Sequence, residues 1–112
     1  MSRITTHILD TSSGSPATGV SVILYKLQSE SWSKIAQGTT DSNGRITDFG
    51  SDTTTPEAGI YKLEFRSGEY FNRTGAPGFY PFIEISFEIK TDEHYHVPLL
   101  LNPFGYTTYR GS

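Results

Sequence analysis

Residues 82–101 read FIEISFEIKTDEHYHVPLLL, and the alternation within them decides the fold class. Ile83, Ile85, Phe87 and Ile89 alternate with Phe82, Glu84, Ser86 and Glu88, the period-two pattern of a strand with one face in a core and the other in water. After a polar turn at 90–93, Tyr95, Val97, Leu99 and Leu101 share one face of a second strand. His94, His96, Pro98 and Leu100 fall on the other.

The same period runs outward from there. Ile4, Thr6 and Ile8 alternate with Arg3, Thr5, His7 and Leu9, which puts the isoleucines inward and His7 on the opposite face. TSSGSPATG breaks that strand, and Val20 to Leu27 form the next, apolar on both faces as a central strand would be. Gln28 to Ser31 make a hairpin loop, and Trp32 to Thr40 a third strand. It leads into Asp41, Ser42, Asn43 and Gly44, where Asn-Gly signals a tight turn. Arg45 therefore opens a short fourth strand, with Ile46 turned to the core and Arg45 away from it. SDTTTPEAG reads as a polar loop, and Tyr61, Leu63 and Phe65 as a strand solvated on the side of Lys62, Glu64 and Arg66. RSGEYFNRT (66–74) is the one helix predicted, ended by the loop GAPGFYP, and Tyr106 to Arg110 is the last strand. About eight short strands and one short helix predict an all-β, two-sheet sandwich in a single domain over 1–112.

With 9 Lys plus Arg against 12 Asp plus Glu, a net charge of -3 gives no electrostatic reason to expect nucleic acid or an anionic membrane as partner. The absence of cysteine excludes a disulfide framework, a thiolate nucleophile and Cys-ligated zinc or iron-sulfur clusters. MSRITTHILD shows no basic segment followed by an apolar one, and no run approaches the ~20 apolar residues that cross a bilayer. The chain is expected to be soluble and cytoplasmic, with a periplasmic or peroxisomal location left open; Gly111-Ser112 is not a Ser-Lys-Leu ending.

Imidazole chemistry near neutral pH has three candidates, His7, His94 and His96. His7, His96 and Arg45 each sit opposite the core-forming residues of their strands. If those strands share a sheet, two imidazoles meet a permanent cation on its outer surface. Strand order is not in the sequence, and solvation alone explains each residue singly about as well. His94 reads as mainly structural. A metal site built from His7, His94 and His96 is a weaker reading, because a His-x-His pair carries little information, and no metal or cofactor is expected. No phosphate-binding G-x-x-x-x-G-K loop or G-x-S-x-G nucleophile elbow is present. The run NPFGYTTYRGS keeps its strand pattern almost to Ser112. Tied down in this way it can line a site, particularly if a second subunit covers Leu100 and Tyr109.

Several segments together resemble one family. THILDTSSGSPATGVSVILYKL, TTDSNGRITDF and above all HYHVPLLLNPFGYTTYRGS are similar to the transthyretin-like proteins, specifically their enzymatic branch, the 5-hydroxyisourate hydrolases. The likeness spans essentially the whole chain, AGIYKLEF included, and the ending Tyr109, Arg110, Gly111, Ser112 matches the branch signature without departure. His7 matches the histidine of T-H-x-L-D, Arg45 the arginine after Asn-Gly, and His96 the histidine of H-V-P. The hormone carriers of the fold differ at these positions and lack the ending.

The resemblance implies a prealbumin-like sandwich assembled as a homotetramer, a dimer of dimers, with sites in the channel between dimers. It implies hydrolysis of the 5-hydroxyisourate lactam to 2-oxo-4-hydroxy-4-carboxy-5-ureidoimidazoline in urate degradation. His7, Arg45 and His96 would be catalytic, one histidine removing a proton from water and the other holding substrate or returning a proton. Tyr109, Arg110, Gly111 and Ser112 would bind substrate. Two alternatives stand beside this reading: a transthyretin-type small-molecule carrier without catalysis, and an accessory β-sandwich appendage of a larger protein.

Overall fold

In the computed structural model, which describes residues 2–112, the described residues form nine strands and one α-helix. In chain order the strands are β1 (Ile4–Asp10), β2 (Ser15–Pro16), β3 (Ser21–Gln28), β4 (Ser31–Thr39), β5 (Arg45–Ile46), β6 (Gly59–Phe65), β7 (Ile83–Ile89), β8 (Tyr95–Asn102) and β9 (Gly105–Thr108). Helix α1 (Ser67–Thr74) follows β6, and a 3-10 turn covers Ser51–Thr53. One sheet runs β2-β1-β8-β9 with β5 also on β1, and the other runs β4-β3-β6-β7. The two most legible strands, β7 and β8, thus lie in different sheets, and the turn between them crosses the sandwich.

The core is what alternation prescribes. Ile4, Ile8, Val22, Leu24, Leu63, Phe65 and Leu99 from facing sides of the two sheets are completely buried. At roughly 1.5–3 kcal/mol for each large apolar side chain, this layer supplies the main driving force for closing the sandwich. The predicted helix buries Tyr70 and Phe71 and ends at Gly75, whose φ of 81° is the left-handed cap geometry glycine favours.

Tyr70 ties the helix to β1, its hydroxyl donating to Asp10 Oδ2 at 2.8 Å. Burial, then the bond to the ionised Asp10, pushes that phenol up to about 12. Burial by itself would raise the Asp10 carboxyl, but hydrogen bonds from Ser12, Tyr70 and Ser13 together bring it below the usual carboxylate range. Among the described residues, no helix is long and apolar enough to cross a membrane.

Two departures from the predicted elements stand out. TSSGSPATG is more than a break: Ser15 and Pro16 pair with Asp10 and Leu9 as β2, a strand of two residues that has no alternation to read. The last strand is Gly105–Thr108 rather than Tyr106 to Arg110. Its register against β8 runs from Asn102↔Gly105 to Leu99↔Thr108 and would next reach Pro98, which has no N–H to give. The ladder lapses over Tyr109 and Arg110 and closes again, in the same register, at His96↔Gly111.

Candidate functional site

The turn at Asp41–Gly44 is what brings the first cation into place. Gly44 adopts φ 73°, and a Cβ there would strike the Ile8 carbonyl, so both backbone conformation and close approach require glycine. The Asp41 carboxylate accepts the amides of Asn43 and Arg45 at 2.8 and 3.0 Å. These bonds, that of Arg45 foremost, hold the carboxyl below its usual range. The turn lays β5 antiparallel on β1 with Arg45 directly opposite His7, while Ile46 is buried and Arg45 exposed.

β8 lies on the other edge of β1 and runs parallel to it, with Thr5 opposite His96 and His7 opposite Pro98. Strand order β5-β1-β8 therefore brings Arg45, His7 and His96 onto the outer face of one sheet, the convergence that the sequence made conditional. An open cleft of ≈ 790 Å³ lies over this face, lined by Thr5, Arg45, His94, His96 and Ser112 and by a wall of hydroxyls from Thr47, Thr54 and Thr55. His7 is not among the residues lining the cleft itself. It stands half-buried two residues along β1 from Thr5, on the same face.

His96 is half-buried, and burial pushes its imidazole below the ordinary histidine value. Positive charge on His94, Arg45 and His7 pushes it further the same way. At neutral pH His96 is thus a neutral ring carrying one free lone pair. Its Nδ1 is 2.8 Å from Thr5 Oγ1, and the same oxygen is 2.8 Å from His94 Nε2. Among the described residues, no group of three or more His, Cys, Asp or Glu is arranged to hold a metal ion.

The four residues 109–112 divide. Ser112 lines the main cleft, and Gly111 lies across His96, its amide donating to the His96 carbonyl at 2.9 Å. Arg110 faces elsewhere, 3.4 Å from Glu93 Oε1 and with its guanidinium 4.5 Å from the centre of the Tyr95 ring. Tyr109 and Arg110 border a second hollow of ≈ 280 Å³ between β7 and β8, and Tyr109 is exposed. Thr5 and the threonines of SDTTTPEAG escaped the sequence reading. Thr5 shared the outward face with His7, which was a usable signal, but its place opposite His96 depends on strand order.

A family model described as HIUase/Transthyretin family matches residues 4–111. The chain belongs to this family. The match takes in His7, Arg45, His96 and the tail as far as Gly111. The chain is 49% identical, over 97% of its length and 90% of the relative's, to the probable 5-hydroxyisourate hydrolase of Schizosaccharomyces pombe. It is 43% identical to the 5-hydroxyisourate hydrolase of Salmonella typhimurium, over 97% and 80% of the two chains. Among solved structures it superposes on Klebsiella pneumoniae 5-hydroxyisourate hydrolase with a TM-score of 0.85 at 38% identity, covering 97% and 92%. It superposes on sea bream transthyretin in complex with thyroxine with a TM-score of 0.90 at 32% identity, covering 97% and 94%. Within the HIUase/transthyretin family, backbone likeness therefore does not separate hydrolase from carrier. The side chains on the outer sheet face have to do that.

Proposed function

We propose that this chain, acting as one domain over 1–112, is a hydrolase of 5-hydroxyisourate, opening its lactam ring to 2-oxo-4-hydroxy-4-carboxy-5-ureidoimidazoline. The observation that carries this reading is the register of β5, β1 and β8, which gathers Arg45, His7 and His96 on one accessible face. A carrier needs a hollow of the right shape. It has no use for two imidazoles beside a guanidinium.

In the reaction, one of His7 and His96 takes a proton from water as the water oxygen attacks the ring carbonyl. An ordinary imidazole, with a pKa of about 6.5, suits that task at neutral pH. The carbon–nitrogen bond of the lactam then breaks with the nitrogen as leaving group. The carbonyl carbon becomes a carboxylate whose proton passes to solvent, and the departing nitrogen takes the proton drawn from water, given by the histidine that holds it or relayed through the other. Arg45 orients the ring through its planar donors and offsets the negative charge growing on the carbonyl oxygen. Ser112 and the threonine wall give hydrogen-bonding partners to a substrate edged with N–H and C=O groups, while Tyr109 offers a flat face and Gly111 its backbone. Arg110, held by Glu93 and Tyr95, braces the tail. The chemistry calls for no cofactor.

The working assembly in this reading is a homotetramer, a dimer of dimers with the cleft facing the channel between them. Supporting it, β7 and β9 are edge strands open to pairing, and Phe79, Phe104, Tyr106 and Tyr109 are exposed aromatic rings that a second chain could cover. A cytoplasmic location goes with this reading, and fractionation of the native host tests it. The direct assay generates 5-hydroxyisourate with urate oxidase and follows its ultraviolet decay with and without the protein. Acceleration in proportion to enzyme supports the hydrolase, and tight binding without acceleration supports the carrier. Sedimentation equilibrium reads the four-chain mass.

A further inference from the structure

Thr5 is buried, and its single hydroxyl stands 2.8 Å from both His94 Nε2 and His96 Nδ1. The two rings are nearly parallel, 26° apart with centroids separated by 6.2 Å. A hydroxyl carries one hydrogen and two acceptor lone pairs. His94 and His96 are the partners of Thr5 Oγ1 among the described residues, so its hydrogen is used only if it donates to one imidazole nitrogen and accepts from the other. Only two arrangements satisfy all three groups. In one, His94 Nε2–H donates to Thr5 and Thr5 donates to His96 Nδ1, which leaves the His96 proton on Nε2. In the other, His96 Nδ1–H donates to Thr5 and Thr5 donates to His94 Nε2, which leaves the His96 Nε2 lone pair free for the cleft. The tautomer of His96 is therefore not its own affair.

We propose that Thr5 and His94 are positioning residues that hold His96 in the Nδ1–H tautomer, presenting a basic Nε2 at the cleft. The second arrangement is the one compatible with His96 gaining a proton. Once Nε2 has taken a hydrogen from water, both ring nitrogens are donors, and Nδ1–H must then point at an acceptor. Thr5 is that acceptor, and its own hydrogen is then satisfied by His94 Nε2. A hydrogen on His94 Nε2 leaves the Thr5 hydrogen without a partner unless the chain turns round, so the state of an exposed histidine biases a half-buried one. The charged and titratable groups facing His96 are His7 from β1, Arg45 from β5 and His94 just before β8; Arg110 of the tail is turned to Glu93 and Tyr95. Of these, His94 is the one joined to the His96 ring through a shared hydroxyl.

This assignment rests on the hydrolase reading for its purpose, though not for its test. Intact protein labelled with ¹⁵N in its histidine rings reports the His96 tautomer directly, with no substrate present, at about pH 8, where an ordinary imidazole is neutral. The His96 signals are identified by their loss in His96→Asn. Wild type and Thr5→Ser are expected to show Nδ1 protonated and Nε2 bare. Thr5→Val, which keeps the shape and removes the hydroxyl, and His94→Ala, which removes the acceptor for its hydrogen, are both expected to move the proton toward Nε2. In turnover, Thr5→Val and His94→Ala should each lower kcat by about 10-fold with little change in KM, a fraction of what a general base contributes, and Thr5→Ser should retain it. Should Thr5→Val fold poorly, the exposed His94→Ala decides alone. Wild-type His96 carrying its proton on Nε2, or a tautomer unmoved by these variants, overturns the proposal. Spectra that behave as expected in a protein without activity on 5-hydroxyisourate would instead sink the hydrolase reading and leave the hydrogen-bonded chain standing.

Discussion

Gly111 packs directly against His96: an added Cβ at position 111 would stand 2.5 Å from His96 Cδ2 and 3.1 Å from Pro98 Cγ. Neither neighbour can yield freely, since one is a ring held at Nδ1 and the other a ring fused to the backbone. The tail thus reaches the site because Gly111 has no side chain, and the gap in the β8–β9 ladder at Pro98 lets it leave the sheet and return.

Gly111→Ala is therefore expected to shift either the tail or the imidazole by a few tenths of an ångström or more. Misplacement of a reacting group on this scale costs up to about 100-fold in kcat/KM. Steady-state kinetics read the loss, and a melting temperature close to wild type shows that it is local. Full activity in Gly111→Ala would detach the tail from the site.

Tyr70 and Asp10 make a stability prediction remote from the cleft. Tyr70→Phe removes a hydrogen bond to a carboxylate and is expected to cost about 2 kcal/mol in urea unfolding at neutral pH. The Asp10 carboxyl titrates below its ordinary value when folded, so it contributes stability above the unfolded value and loses it as pH falls through the folded one. In Tyr70→Phe the folded value moves back toward ordinary. The gap between variant and wild type should accordingly persist down to pH ~4 and narrow below it.

How much of this was legible follows from what alternation encodes. It gave the inward and outward faces of β1, β6, β7 and β8, and with them the outward aspect of His7 and His96. Asn43-Gly44 gave the turn that turns Arg45 outward beside Ile46. Neighbourhood is a different quantity: that β8 lies parallel on β1, with Thr5 opposite His96, depends on pairing across some ninety residues of chain, which no local pattern records. β2 was illegible because two residues have no period, and the end of β9 because Pro98 acts on it from another strand. The loop that carries Thr54 and Thr55 looked like any polar loop, although Thr53 beside them is completely buried and bonded to Ser2.

His96 carries a pH prediction. Its folded-state value lies below the ordinary ~6.5, so the unfolded chain binds the proton more readily and acid weakens the fold as pH drops from there toward the folded value. NMR titration should place its midpoint below ~6.5, and Arg45→Ala, which removes a nearby cation, should raise it. If His96 is the base, the acid limb of kcat/KM follows that midpoint. A midpoint above the ordinary value would reverse the electrostatics assigned to the site.

The most direct measurement is the ultraviolet decay of freshly generated 5-hydroxyisourate with wild type and with His7→Ala, Arg45→Ala and His96→Ala, each variant checked for native circular dichroism and assembly. Wild type should accelerate the decay. Each substitution should lower kcat/KM by about 10²- to 10⁴-fold, the range set by general acid–base and oxyanion-stabilising groups. Wild-type rates in all three folded variants would contradict the account.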